Sequence, residues 1–372
     1  MKVQITNGMF MALMINMVYA KAIGVTQGSM AREVGNDIWL STLLSIGQGL
    51  LIILFAVIII KRLPQSDLIH QGQVLGGKWL GKLISFLLFV FFLVSYGSIM
   101  ATFVYHIKDY FLPEAPILLV VMVAFLLGAY AIYFGVEVIA RMALIGVFSI
   151  LALNILIMIG SVPKFDVREL MPVFESGVVK TVWASRHHNA DWLMAIMMSC
   201  IILPVVKKPD VWKRSGLAGI AYGGLFVAIW PILEIGVLSA EVTGQYIVSC
   251  MQMARSAEIG HFIHRYEMFM VAFFALSVLT QIMMTFLCAT VSIQRLLGLK
   301  DYRRVILPVC LVLTGYGYWV VFDHERAMKI TETYWVGVAH VIGIGVLALV
   351  FVLGLIFKKK LVTAREKASS SH

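Results

Sequence analysis

The sequence predicts an all-α integral membrane protein of about ten transmembrane helices, and three observations carry that expectation. Of its 372 residues 60% are hydrophobic and only 13% charged, with mean hydropathy +0.91. That is more apolar surface than a water-facing globule can hide. At roughly 20 apolar residues per crossing the length allows about ten spans joined by short connections, with no room for a separate soluble domain. Finally, the basic residues gather in alternate connections, as they do when one leaflet attracts them.

The apolar runs between polar breaks place spans at Ile5 to Val25, Leu40 to Ile60, Leu83 to Tyr105, Ile117 to Phe134 and Met142 to Val162. A second set follows at Leu193 to Val206, Gly216 to Leu238, Phe269 to Val291, Val305 to Phe322 and Tyr334 to Phe357. With the N-terminus inside, the inner segments hold most of the 30 Lys and Arg residues, including Lys61, Arg62, Lys78, Lys82, Lys207, Lys208, Arg295, Arg303 and the run Lys358 to Lys360. Both termini are therefore expected to be cytoplasmic. The net charge of +10 lies in these juxtamembrane blocks, which suit anionic lipid headgroups rather than nucleic acid. Neither a small-residue cleavage site nor a soluble domain follows the first apolar run, so it is expected to remain as the first span. Cys200, Cys250, Cys288 and Cys310 have no pair spacing, which predicts packing residues rather than disulfides or a metal cluster.

One transmembrane domain is expected over 1–372, ending in a basic cytoplasmic tail at 358–372. Between the fifth and sixth spans the polar stretch Pro163 to Asp191 divides the chain into two five-span halves, 5–162 and 185–357. Five is odd, so the halves have opposite orientation, the requirement of an inverted-repeat transporter. In such folds the first helix of each half is interrupted near the midplane, freeing backbone groups that line a cavity. Asn16, Lys21 and Gly24 mark an irregular first span, and Ser185 to Asp191 (Ser-Arg-His-His-Asn-Ala-Asp) opens the sixth.

Six short stretches, in order and over nearly the whole chain, resemble one family. They are Asn36-Asp37-Ile38-Trp39, Leu75 to Lys82 (LGGKWLGK), Gly135-Val136-Glu137 with Arg141, Leu170-Met171-Pro172-Val173, Leu203-Pro204, and His264-Arg265-Tyr266-Glu267. The family is that of the endospore germination permeases, the B subunits of GerA-type nutrient germinant receptors, within the amino acid/polyamine/organocation superfamily. The resemblance implies a LeuT/APC-like five-plus-five bundle with broken first and sixth helices, in the inner membrane of a dormant spore. It also implies recognition of a small nutrient, usually an amino acid, by a sensor that works with an A subunit and a lipoprotein C subunit. A midplane pocket reports occupancy if the ligand favours one of two arrangements. The chain departs from the family pattern at two places. Tyr19-Ala20-Lys21 stands where the family has Gly-x-Gly, with Thr26 for the proline that often follows. Ile196 and Met198 stand where the sixth span often has glycine and glutamate. A ligand other than a simple amino acid, or one held differently, is the expected consequence.

The candidate ligand-binding set is Asn16, Tyr19 and Lys21 in the first span, Tyr96 and Met100 in the third, Asn154 in the fifth, Trp192 and Ile196 in the sixth, and Thr280, Gln281, Met284 and Thr285 in the eighth. Lys21 stands in an apolar run, where an unpaired ammonium costs roughly 2.5 to 3.5 kcal/mol, so it needs a cavity, a partner or an outward snorkel. Asn154 and Gln281 are amides at membrane depth that must find hydrogen bonds, as glue between helices or as ligand contacts. Thr280 and Thr285 cluster with Gln281 in a span that contributes to the family's pocket. Tyr96 can be core or a hydroxyl against the ligand. Glu234 follows Pro231, which kinks a helix and frees a carbonyl, so it is either a proton-linked switch or a surface carboxylate. His187, His188 and Asp191 lack the third spaced ligand that closes a tetrahedron, and a polar outer gate fits them better than a metal. Glu137 and Arg141, four apart, can bridge as a local clamp, and Arg265 with Glu267 is expected to tie the outer loop to another helix. The 21 Met and 22 Phe residues are expected to serve packing for the most part.

No cofactor or metal is expected. No nucleophile–base spacing, His-Glu-x-x-His, paired intramembrane aspartates or phosphate-cradling loop is present, so an enzyme is not expected. The alternative to a sensing subunit is an autonomous proton-driven transporter of amino acids or amines.

Overall fold

In a computed structural model, which describes residues 4–257 and 266–370, the chain is a bundle of helices. The stretch from His264 to Glu267 that enters the family resemblance falls largely outside the described residues, and the expected tie by Arg265 and Glu267 with it. In chain order the helices are α1 (Asn7–Ile23), α2 (Val25–Val34), α3 (Ile38–Lys61), α4 (Leu68–Tyr110), α5 (Ile117–Phe134), α6 (Val136–Ser161), α7 (Val178–Ala184) and α8 (Arg186–Ile202). They continue with α9 (Trp212–Leu238), α10 (Ala240–Gln245), α11 (Ser249–Ser256), α12 (Tyr266–Leu297), α13 (Ile306–Phe322), α14 (His324–Ile356) and α15 (Lys358–Ser370). Among the described residues nine helical segments are long and apolar enough to cross a membrane. The 17-residue α1 joins them at the centre of the bundle.

Two helices are buried almost all round, and they position the site. From Ala12 to Ile23 every residue of α1 is buried, and so is every residue of α8 from His187 to Ile202. A helix that is apolar on all sides belongs inside such a bundle. α1 packs against α6, α8, α9 and α12, while α12 packs against α4, α5 and α6. Glycines let these helices approach: a Cβ on Gly49 of α3 would stand 2.8 Å from the Trp192 ring, and one on Gly219 of α9 would stand 2.5 Å from Met14. The outer helices turn apolar side chains such as Leu126, Phe148, Ile155 and Leu307 outward, where only lipid can cover them.

Span boundaries differ from the expected ones chiefly at two places. The sixth span does not begin at Leu193: helix starts at Val178, and the polar run from Ser185 to Asp191 is helical and mostly buried. Polarity signals a loop only when the groups face water, and here the bundle supplies partners for Ser185, Arg186, His187 and Asp191. α4 begins fifteen residues before the expected third span, as an arm that turns at Gly77 (φ 82°), a backbone geometry reserved for glycine. The family stretch Asn36-Asp37 organises the connection between α6 and α7. Buried Asp37 accepts from the backbone N–H of Phe174 (2.6 Å) and Ser176 (3.0 Å) and from the hydroxyls of Ser176 (2.7 Å) and Thr181 (3.1 Å). Glu137 and Arg141 bridge at 2.6 Å, and the four cysteines are buried and free. In α14 two π-helical stretches, Ile330–Tyr334 and Ala339–Ile344, flank the short α-helical turn Trp335–Val338.

Candidate functional site

α1 and α2 are one crossing broken at Gly24, whose ψ of −107° leaves the helical range. The break falls there because α4 crosses closely: a Cβ on Gly24 would stand 2.6 Å from Thr102 Cγ2 and 3.0 Å from His106 Cε1. Tyr19, Ala20 and Lys21, where the family has Gly-x-Gly, stay helical. Between α7 and α8 the backbone at Ser185 (φ −57°, ψ −18°) stays in the helical range, so the sixth span is not opened there as the first is at Gly24, and Ile196 and Met198 lie well inside α8. The break in the first crossing falls at Gly24, beyond the Tyr19-Ala20-Lys21 position.

Beside the first break, Lys21 is only 2% exposed and Asp191 of α8 is wholly buried; their charged atoms are 2.7 Å apart. Thr26, just past the break, accepts from Lys21 Nζ (3.1 Å) and donates to Asp191 Oδ2 (2.9 Å). Trp335, from the turn between the two π-helical stretches of α14, donates its indole N–H to Asp191 Oδ1 at 3.2 Å. The broken first crossing, α8 and α14 thus meet on one carboxylate. His188 stacks on Trp192 with ring centroids 5.4 Å apart, and Trp192 donates to Ser45 at 3.1 Å. Around this knot several buried polar atoms make no hydrogen bond: both ring nitrogens of His188, whose Nδ1 lies 4.0 Å from Asp191 Oδ2, both side-chain polar atoms of Gln27 and the carbonyl oxygen of Asn189. Such groups are where water or a polar ligand is expected.

A second polar layer lies deeper in α1. Gln281 donates to the carbonyls of Asn16 (3.2 Å) and Met17 (2.8 Å), and Ser277 donates to Asn16 O at 3.1 Å. Asn16 itself donates to Ala143 O of α6 at 2.8 Å. The Tyr19 hydroxyl accepts from Trp230 (3.0 Å) and Asn154 (3.2 Å). Thr280 donates to the carbonyl one turn back at 2.8 Å, and the buried Thr285 hydroxyl has no partner. Ile196 and Met284 are buried in the core. Tyr96 and Met100 are brought elsewhere, against Gly317 of α13, with the Tyr96 ring 4.8 Å from Phe286. The α4 residues that face the break are Thr102 and His106, two and six residues beyond Met100.

Ion pairs join α2 to α14 and α8 at one end of this knot. Arg32 of α2 pairs with Glu332 of α14 and donates to Gly244 O at 3.0 Å. Glu33 pairs with Arg186 at 2.7 Å and with His187 at 3.0 Å. At the other end Ile5 N–H meets Val205 O at 3.0 Å and Lys207 N–H meets Ile5 O at 2.9 Å, joining the start of α1 to the end of α8. Glu234, wholly buried, accepts from Ser249 of α11 at 2.8 Å, so it is not a surface carboxylate. Among the described residues no group of three His, Cys, Asp or Glu side chains could hold a metal ion.

The family model described as "Spore germination protein" matches residues 4–321. The chain belongs to the spore germination protein family. This germination protein is 26% identical over 321 residues to spore germination protein YndE of Bacillus subtilis, covering 84% of this chain and 86% of the relative. It is 23% identical over 284 residues to spore germination protein GerQB of Bacillus cereus, covering 76% and 77%. Among solved structures it resembles the nucleobase-cation-symport transporter Mhp1 in a closed conformation, with TM-score 0.70 at 11% identity over 92% of this chain and 78% of that one. MhsT in complex with L-phenylalanine gives TM-score 0.60 at 16% identity, over 93% and 98%. At these identities the likeness is one of fold, and the fold is that of the LeuT-type transporters. Family and fold are those of membrane receptors and transporters, not of enzymes, and this germination protein is a multi-pass membrane protein.

Neither Asp191 nor Thr26 is in the candidate set read from the sequence, although both were in view there, as part of an outer gate and as a replaced proline. The missing signal was a charge argument: a cation inside the bilayer calls for an acid at the same depth, and Asp191 stands two residues before the expected start of the sixth span.

Proposed function

We propose that this protein is the membrane subunit of a spore nutrient germinant receptor and binds a small zwitterionic nutrient, an amino acid or similar, where α1, α2 and α8 meet. The observation that supports this most is the buried Lys21–Asp191 pair joining the broken first crossing to α8, with His188 and Gln27, whose side chains make no hydrogen bond, beside it. A zwitterion offers both charges this pair now satisfies internally: its carboxylate can take Lys21 and its ammonium Asp191. Exchange of partners costs little because no charge is left unpaired. It releases Thr26 and Trp335 from Asp191, and so frees α2 and α14 to shift. Such a ligand has the differential affinity for two arrangements that a sensor needs. We place the two halves, 5–162 and 185–357, as inverted repeats, with both termini cytoplasmic and the chain in the spore inner membrane. Signal would pass to A and C subunits, with anionic lipid around the basic end.

A thermal-shift screen of the purified chain against amino acids, sugars and nucleosides tests this reading. A zwitterion that raises Tm in the wild type but not in Lys21→Ala supports it; a hit that survives Lys21→Ala and Asp191→Asn undiminished overturns it. The transporter-like fold keeps one second reading, an autonomous proton-coupled transporter. Counterflow of labelled ligand in vesicles holding this chain alone would favour that reading, and binding without flux the sensor.

A further inference from the structure

At the basic end of the bundle the arm of α4 folds back on the start of its own long span. A Cβ on Gly81 would stand 2.9 Å from the Cβ of Gln73, so a side chain there would push the arm away. Between arm, span and the end of α12 lies a cavity of about 330 Å³, lined by His70 and Gln73, Lys78 and Lys82, and Arg295 and Gly298. None of the described residues lining it is acidic. Asp67, behind its wall, caps α4 through the N–H of His70 (2.8 Å) and holds Arg295 at 2.9 Å, which fixes that guanidinium in place. Two lysines remain to face a ligand from one turn of helix.

Exposed apolar side chains adjoin the residues that line the cavity. Trp79 is 84% exposed, with the Lys82 ammonium 5.6 Å from its ring centroid, and Leu83, Phe86 and Leu297 present bare apolar side chains beside it. A soluble anion has no use for that apolar rim, whereas a lipid does. Basic pockets between spans are suited to phosphate headgroups, and aromatic rings anchor at the same depth. We propose that this cavity binds the phosphate-bearing headgroup of an anionic phospholipid, with an acyl chain running along Leu83 and Phe86, which share a helix face. Its occupant ties the arm of α4 to α12, the helix whose Gln281 holds α1, and so steadies the base on which the central knot rests.

The test uses the full chain in neutral detergent, titrated with phosphatidylglycerol, phosphatidylcholine or inorganic phosphate, with bound lipid counted by native mass spectrometry. Phosphatidylglycerol should be retained in preference to phosphatidylcholine. Retention should weaken by roughly fivefold for each lysine removed in Lys78→Gln and Lys82→Gln, the factor that corresponds to about 1 kcal/mol per surface cation. Lys358→Gln with Lys359→Gln, on the tail, should leave it unchanged. Brominated phosphatidylglycerol should also quench Trp79 in the wild type, read as the difference from Trp79→Phe, more than brominated phosphatidylcholine does; this arm needs no charge variant to fold. Equal retention or equal quenching by the two lipids, unchanged retention in both lysine variants, or full competition by millimolar inorganic phosphate would each overturn the proposal.

Discussion

Lys21 and Asp191 are 170 residues apart in sequence and 2.7 Å apart in the structure, buried at the crossing of α1 and α8. A buried ion pair contributes little net stability compared with apolar residues of the same shape, yet removing one partner strands the other charge. Lys21→Ala or Asp191→Asn alone should therefore cost about 3–5 kcal/mol. The double change Lys21→Met with Asp191→Leu should cost less than either. Thermal unfolding in detergent measures this. If the double variant is the least stable of the three, the pair does not close the crossing as described.

Gly24 is expected to be a break by steric necessity. Gly24→Ala sets a methyl 2.6 Å from Thr102 Cγ2, and overpacking of this kind costs about 1–3 kcal/mol. Thr102→Ser deletes that very methyl while keeping the hydroxyl. The combination should regain most of the lost stability, a non-additivity that a double-mutant cycle reads directly. Additive losses would mean that the backbone at Gly24 yields instead.

Much of the bundle is legible from sequence because lipid leaves no choice: apolar runs of sufficient length must be helices. The run Ile117 to Phe134 is α5 to the residue, since nothing polar interrupts it. The central knot is less legible. Lys21 announces that it needs a partner, but pairing with Asp191 is a fact of tertiary crossing. The break sits at Gly24 rather than Tyr19 because Thr102 and His106 press there, and a helix crossing is invisible along the chain. Tyr96 illustrates the opposite error of reading depth without azimuth: it lies mid-span in α4 but faces Gly317 of α13, not α1. Thr102, six residues on and on another face of α4, is the residue that meets the break.

The ion pairs of Arg32 and Arg186 should act as a latch more than as a source of stability. Partly exposed pairs contribute about 0–1 kcal/mol each. Arg32→Gln with Arg186→Gln therefore shifts the closed state toward an open one by up to roughly thirtyfold. Gln27, fully buried beside the break, reports this when replaced by Cys: a membrane-impermeant thiol reagent should label Gln27→Cys faster in the double-Arg background. An unchanged rate would show that these pairs do not govern access.

Tyr19 and Tyr96 make a final contrast between two buried phenols. The Tyr19 oxygen is the acceptor for the Trp230 indole and the Asn154 amide. Tyr19→Phe removes that acceptor from two buried donors, and a stranded donor costs about 1–3 kcal/mol. Because Tyr19 lies on α1 within two residues of Lys21, the change should also weaken the response to any nutrient that raises Tm. Tyr96 packs on Phe286 and Gly317, contacts a phenyl ring keeps. Tyr96→Phe should cost under about 1 kcal/mol, within the range of a tolerated substitution, and leave ligand affinity within about twofold of wild type. The two variants compared by thermal shift, with and without ligand, decide which tyrosine belongs to the pocket. A larger ligand effect from Tyr96 would move the binding site to the α4–α13 side of the bundle.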